Sequence, residues 1–146
     1  MKYLIFVALS LLLLVFVSHQ PKIYLCTDSS TLFVADYHEN LPVTINFTHS
    51  VQKTPVIEEL VLQNGEFVLI RTKYKSFGVG LPFDADFDGN FYQDGDFFVM
   101  DDMFRHFKQI ELRTGKGTQL SISIDGKIFH LYKKFPLGTK IIVKTF

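Results

Sequence analysis

The stretch VIEELVLQNGEFVLIRTKY, residues 56 to 74, holds two apolar runs on either side of the dipeptide Asn64-Gly65. Both central residues of a two-residue hairpin turn must accept a positive φ, and Asn-Gly does so best. The stretch therefore predicts an antiparallel hairpin whose register is fixed by its turn. Because side chains alternate between the two faces of a strand, the predicted facing pairs are Gln63 with Glu66, Leu62 with Phe67, Leu60 with Leu69, and Glu58 with Arg71.

The rest of the chain after Pro21 repeats the same kind of pattern. Short apolar runs are broken by turn residues every eight to twelve positions, which is typical of a β-sandwich or barrel. A second hairpin is predicted at Asp125-Gly126. We therefore predict an all-β fold, a compact sandwich or partly open barrel of about 8–10 short, mainly antiparallel strands. Further strands are expected near Lys22 to Thr27, Thr31 to Tyr37, Leu41 to Ser50, Phe97 to Met100, Phe107 to Leu112 and Lys140 to Lys144.

The composition supports one folded domain and narrows its partners. Of the 146 residues, 47% are hydrophobic and 21% are charged, so the chain has enough apolar material for a core. Fifteen basic residues balance fifteen acidic ones, and this balance argues against nucleic acid as a partner. Cys26 is the single cysteine, so no internal disulfide is possible.

The N-terminal segment, residues 1–20, is predicted to be a signal peptide or a membrane anchor, and its apolar part is predicted to form one hydrophobic helix. A single early lysine precedes a run of large apolar side chains from Tyr3 to Val17. As a helix this run spans about 22 Å, against about 30 Å for the hydrocarbon core of a membrane. A bulky Phe16 lies where signal cleavage prefers a small residue, which favours the anchor. Either outcome places residues 21–146 outside the cytoplasm as a β domain, bound to the cell membrane or secreted.

A polar cluster is predicted near the base of the first hairpin. Alternation along LPVTINFTHS puts His49 on the inward side with Ile45 and Phe47, so His49 needs a polar partner, for which Glu58 is the candidate. The glycine-rich loop that follows the hairpin can fold over the Glu58 and Arg71 end. The cluster is either a structural network or the lining of a small ligand pocket, and its members are His49, Ser50, Glu58, Arg71, Ser76, Gly78 and Gly80. If Glu58 meets Arg71 on the inner face, Glu58→Ala destabilises the protein more than Glu59→Ala.

An acidic segment, DADFDGNFYQDGD, resembles the first half of a calcium loop. Alternating aspartates precede a glycine that permits a sharp turn, but the closing bidentate glutamate of an EF-hand is absent. The segment is therefore either a calcium site of a β protein or a solvated acidic loop. The candidate Ca²⁺ ligands are Asp84, Asp86, Asp88, Asn90, Asp94 and Asp96.

Three motifs, NFTHSVQKTPVIEEL, YKSFGVGLP and the closing LSISIDGKIFHLYKKFPLGTKIIVKTF, resemble the bacterial domain-of-unknown-function family numbered 1850. The resemblance runs from about Pro21 to the C-terminus, and its fingerprint residues are His49, Ser50, Val51, Thr54, Pro55, Glu58 and residues 76–82. It implies a small exported or anchored protein, often encoded beside TRAP-type solute transporters whose binding proteins are of the TAXI class. A transporter permease or its solute-binding protein is then the expected partner.

Three functions are consistent with the sequence. The first is a non-enzymatic accessory or binding domain, anchored or exported, that assists a TRAP-type transporter. The second is a calcium-stabilised structural domain. The third is an enzyme that uses His49 and Glu58 as acid and base. The sequence favours the first, because it shows no nucleophile next to a suitable base.

Overall fold

The computed structural model describes residues 3, 5–7, 9–12, 21–76 and 89–146. Residues 3, 5–7 and 9–12 are helical and form α1, with exposed apolar side chains. In the described part of the chain no helix combines the length and the apolar character needed to cross a membrane. The remaining elements are β1 (Lys22–Cys26), β2 (Thr31–Asp36), β3 (Leu41–Thr48), β4 (Pro55–Gln63), β5 (Glu66–Tyr74), β6 (Asn90–Asp94), β7 (Phe97–Phe107), β8 (Gln109–Arg113), β9 (Ser121–Ile124), β10 (Lys127–His130), α2 (Leu131–Lys134) and β11 (Lys140–Thr145).

The strands form two antiparallel sheets, which confirms the predicted all-β fold. One sheet has the order β2-β1-β11-β8, and the other has the order β10-β9-β3-β4-β5-β7-β6. The sheets are not closed into one barrel, so the architecture is a sandwich or open barrel. The structure describes eleven strands. β6 was not predicted, and β7 continues well beyond the strand that was predicted near Phe97 to Met100.

The core lies between the sheets and is built from the inward positions of both. β3 alternates buried Leu41, Val43 and Ile45 with more exposed residues, as a strand with one covered face should. β1 and β11 contribute from the other sheet, where Ile23 and Val143 are fully buried. Burial of such side chains contributes about 1.5–3 kcal/mol each relative to exposure.

The first hairpin forms where it was predicted, and its register is as predicted near the turn. Gln63 pairs with Glu66, Leu62 with Phe67, and Leu60 with Leu69. Asn64 and Gly65 have φ values of 50° and 79°, as the turn requires. The second hairpin also forms, with Ile122 facing Phe129 and Lys127 facing Ile124.

A β-bulge changes the register farther from the turn. β5 contains one extra residue, Ile70, relative to β4, so Arg71 pairs with Glu59 and Thr72 pairs with Glu58. β7 also changes register against β5 here, and its residues Asp102 and Phe104 have positive φ. The predicted pairing of Glu58 with Arg71 is therefore wrong. One inserted residue moves Arg71 to the opposite face of the sheet from Glu58.

Candidate functional site

Arg71 lies in a network of charged residues on the face of the larger sheet that points away from the core. Its Nη1 is 3.1 Å from Glu59 Oε2, and its Nη2 is 2.7 Å from Asp101 Oδ2. Lys73 Nζ lies 3.0 Å from Glu59 Oε1. Two positive and two negative side chains thus join β4, β5 and β7 in one half-buried network. This is a structural network, and Glu58 has no place in it.

The pKa values of this network follow from its contacts. Hydrogen bonding to Asp101 is the first cause that raises the pKa of Arg71 above its ordinary value. The hydrogen bond from Arg71 in turn lowers the pKa of the Asp101 carboxyl, with a smaller contribution from the backbone N–H of Asp102. Both groups are therefore held in their charged forms.

Glu58 faces the core side of the sheet, between Ile45 of β3 and Thr72 of β5. Ile45 is buried and apolar, and the Thr72 hydroxyl already donates to Met103 Sδ at 3.3 Å. Among the described residues no ion pair or hydrogen bond is made by the Glu58 carboxyl. Burial is the cause that raises its pKa above the ordinary value of 4.5. Glu58 is thus a half-buried carboxyl with no counter-ion in the part of the chain that the structure describes.

The space in front of Glu58 is a cavity of about 380 Å³ between the two sheets. This volume lies in the range of small-molecule sites. The cavity is bordered by β8, which is the edge strand of the smaller sheet in the described part of the chain. Its lining is mostly apolar and consists of Ile45, Glu58, Leu60, Leu69, Phe107, Gln109, Ile110, Glu111 and Leu112.

The other polar residues of the lining, Gln109 and Glu111, already have hydrogen-bond or ion-pair partners. Gln109 Nε2 donates to Glu111 Oε1 at 2.7 Å, and Lys140 Nζ lies 3.0 Å from Glu111 Oε2. The hydrogen bond with Lys140 is the first cause that lowers the pKa of Glu111. Since Lys140 neutralises Glu111, ionised Glu58 leaves the cavity with one uncompensated negative charge.

The position of Glu58 gives stability a specific pH dependence. A folded-state pKa above the unfolded value of 4.5 means that the stabilising contribution is complete below about pH 4.5 and is lost as pH rises through the folded pKa. We expect Glu58→Gln to remove this loss of stability. The difference in free energy of unfolding between the variant and the unmodified protein should therefore grow, in favour of the variant, as pH rises above about 4.5. Urea unfolding at a series of pH values measures it. Parallel curves for the two proteins would show that Glu58 is not desolvated.

The structure also reverses the expected order of stability of the Glu58→Ala and Glu59→Ala variants. Glu59→Ala leaves Arg71 and Lys73 without their shared partner, whereas Glu58→Ala removes a charge that has no partner. We therefore expect Glu59→Ala to lower the free energy of unfolding by about 1 kcal/mol, and Glu58→Ala to cost less. Chemical denaturation at neutral pH compares them, and a larger loss for Glu58→Ala would contradict this placement.

His49 is not on an inward strand position as predicted, because β3 ends at Thr48. It begins a tight turn in which its N–H donates to Thr54 O at 2.8 Å, and its Nδ1 accepts from the N–H of Gln52 at 3.1 Å. The polar partner of His49 is thus the backbone of its own turn, and the predicted contact with Glu58 is wrong. Ser50 is exposed in the same turn.

Ser76 is joined to this turn from the end of β5. Its Oγ lies 3.0 Å from Thr54 Oγ1. The fingerprint residues His49, Thr54 and Ser76 therefore meet at one corner of the fold, as a structural brace. Gly78 and Gly80, also predicted for this cluster, lie outside the described residues.

A shallower groove of about 280 Å³ crosses the fold beside this corner. It is lined in part by Ser121 and His130, which pair directly between β9 and β10 and so share a face opposite to Ile122. The rings of His130 and Tyr132 meet edge to face at 6.0 Å. Among the described residues, the lining of this groove contains no Asp, Glu, Lys or Arg side chain.

The acidic segment is only partly described. Asn90 begins β6 and donates to Asp102 Oδ2 at 2.6 Å, Asp94 ends β6, and Asp96 lies 3.2 Å from Lys75 Nζ. Asp84, Asp86 and Asp88 lie outside the described residues. Within the described ranges, three or more His, Cys, Asp or Glu side chains nowhere converge as a metal site would require. Calcium binding by this segment stays a prediction.

The cavity was not predicted, because its apolar lining reads as ordinary core in the sequence. Gln109 and Glu111 alternate with Ile110 and Leu112, and this pattern signals only a strand with one covered face. The one usable signal was Glu58 among inward-facing residues of β4. That signal was assigned to an ion pair with Arg71, which the bulge prevents.

Fold and cavity together define an antiparallel β-sandwich with an open, mainly apolar site between its sheets. The chain belongs to the family described as Domain of unknown function (DUF1850), whose model matches residues 43–131. This confirms the resemblance drawn from the sequence motifs. Neither the curated proteins nor the solved structures contain a match.

Proposed function

We propose that this protein is a non-enzymatic binding domain displayed outside the cytoplasm, which binds a small, largely apolar molecule between its sheets. The observation that carries this proposal is the cavity of about 380 Å³ at the β8 edge, where the Glu58 carboxyl has no ion-pair partner among the described residues. Ligand sites typically combine apolar walls with a few polar groups that orient the ligand.

The lining favours binding over catalysis. Its described residues include no serine, cysteine, threonine or histidine side chain that would act as a nucleophile or a base beside Glu58. His49, the partner required by the acid–base hypothesis, does not line the cavity and is held by its own turn. A lone carboxyl with a raised pKa is better suited to recognising a ligand than to a two-group reaction.

The location outside the cytoplasm is inferred from the apolar run between Tyr3 and Val17. The β domain begins directly after this segment. The N–H of Lys22 donates to Phe146 O at 2.8 Å, and the N–H of Phe146 donates to Lys22 O at 3.1 Å. If residues 1–20 remain as an anchor, the short connection keeps the domain near the membrane surface.

The cavity can be tested with benzyl alcohol, a neutral, water-soluble probe with one ring. We expect ligand-observed NMR to show binding to the full chain, and Leu112→Trp to abolish it by filling the cavity from β8. The matched control is Ile128→Trp, because Ile128 is 62% exposed and does not line the cavity. Binding that survives Leu112→Trp, or no binding to the unmodified chain, would contradict the proposed function.

The partner is inferred from the family resemblance, which implies a TRAP-type transporter. In this proposal the domain presents its ligand to the permease or to the solute-binding protein. Affinity purification of the full chain from gently solubilised membranes tests it, and we expect a transporter subunit to be recovered. Recovery of the folded protein without any such subunit would count against the transporter while leaving the cavity untouched.

A further inference from the structure

The charge distribution in the cavity indicates which class of ligand it takes. Gln109, Glu111 and Lys140 are paired at the β8 side, so they offer a ligand no free charge. Glu58 lies on the opposite wall, and its neighbours across the sheet are Ile45 and Thr72. The apolar residues between these walls include Leu60, Leu69, Ile110 and Leu112.

We propose that the cavity binds an organic cation, an ammonium group carried on a compact apolar body, with the ammonium donating to the Glu58 carboxylate. This inference rests on the proposed function, because it requires that the cavity is a ligand site. An ammonium supplies both the charge and the hydrogen-bond donors that the protein does not supply to Glu58. The apolar body then replaces water along the leucine and isoleucine walls.

Other ligand charges fit less well. An anion would meet Glu58 with no unpaired cation among the described residues of the cavity. A neutral ligand with a hydrogen-bond acceptor could accept a hydrogen bond from the O–H of protonated Glu58, but a hydrogen bond between neutral groups is weaker than a charge-assisted one. The cation is therefore the ligand that gains most from Glu58.

The titratable groups around the ligand set the pH dependence. Glu58 of β4 faces the cavity, whereas Glu111 of β8 borders it but is exposed on the opposite face of its strand from Ile110, where Lys140 of β11 neutralises it. β3 and β5 contribute only Ile45 and Leu69, which do not titrate. Because burial raises the pKa of Glu58, a cation that binds the carboxylate competes with a proton at pH values below that pKa. Cation affinity should therefore rise with pH until Glu58 is ionised in the free protein.

The experiment compares three probes of one shape on the full chain: benzylammonium, benzyl alcohol and benzoate. We expect isothermal titration calorimetry at about pH 8 to give the tightest binding for benzylammonium and the weakest for benzoate. Glu58→Gln should weaken benzylammonium about ten- to a hundredfold and leave benzyl alcohol nearly unchanged. Glu66→Gln is the matched control, because Glu66 pairs with His106 on the surface at 3.1 Å and does not line the cavity.

The outcomes distinguish failure of the cation inference from failure of the proposed function. If benzyl alcohol binds as tightly as benzylammonium, or if Glu58→Gln affects both alike, the cation inference is overturned while the cavity remains a binding site. Tighter binding of benzoate would overturn it as well. If none of the three probes binds, the proposed function itself fails. Benzylammonium affinity that does not fall between about pH 8 and pH 5 would show that the ammonium does not meet the Glu58 carboxylate.

Discussion

Arg71→Met is expected to lower the free energy of unfolding by about 2–3 kcal/mol. The substitution keeps an unbranched side chain but removes the guanidinium that bridges Glu59 and Asp101. Two half-buried carboxylates are then left on the two strands that flank β5, with Lys73 as the remaining cation beside Glu59. Breaking a fully buried pair by removing one partner costs about 3–5 kcal/mol, and partial exposure reduces that value here. Urea denaturation followed by circular dichroism measures the difference.

The acid limb of the stability curve provides a second measurement on Arg71→Met. The hydrogen bond from Arg71 lowers the folded-state pKa of Asp101, so its stabilising contribution is present above the ordinary value of 3.8 and is lost as pH falls through the folded pKa. The variant should therefore lose less stability on acidification. Lys116→Met serves as a control, because Lys116 is exposed and outside this network and its replacement removes the same charge. A variant as stable as the unmodified protein would contradict the assignment of Arg71 to a structural network.

Phe67→Ala is expected to cost about 3–5 kcal/mol, the largest effect of any single substitution considered. The Phe67 ring is fully buried near the turn of the first hairpin, where Phe67 pairs with Leu62 of β4 and with Phe107 of β7. Its removal leaves a cavity that the two rigid sheets cannot collapse to fill. Thermal unfolding should show a correspondingly large decrease in Tm.

The matched control is Phe104→Ala. Phe104 is 62% exposed in the bulged part of β7, so its truncation removes little buried surface. We expect a change within about 0.5 kcal/mol. Equal losses for the two phenylalanine variants would show that the core does not lie between the sheets as described.

The fold was predictable because its signals are local. Asn64-Gly65 and Asp125-Gly126 each fix a hairpin, and alternation along β3 identifies its buried face. The bulge at Ile70 could not be predicted from the same signals, because Ile70 is as strand-compatible as its neighbours. It is defined by the pairing of β5 with both β4 and β7, including the positive φ values of Asp102 and Phe104.

The candidate site could not be predicted, because it depends on the bulge at Ile70. With an uninterrupted register, Glu58 and Arg71 would satisfy each other and no unpaired carboxyl would remain. Because of the bulge, Arg71 forms ion pairs with Glu59 and Asp101, and Glu58 remains in the cavity. The wall opposite Glu58 comes from β8, some fifty residues later in the chain, and the sequence contains no local signal for that approach.

The central claim is that Glu58 faces an apolar cavity without a counter-ion, and the direct measurement is its own titration. The side-chain carboxyl carbon of Glu58 in the isotopically labelled full chain can be followed by NMR against pH and assigned with Glu58→Gln. The account predicts a midpoint above 4.5, the ordinary pKa of a glutamate, because burial disfavours the charged form. A midpoint at or below 4.5 would mean that Glu58 is solvated or ion-paired, and it would contradict the account.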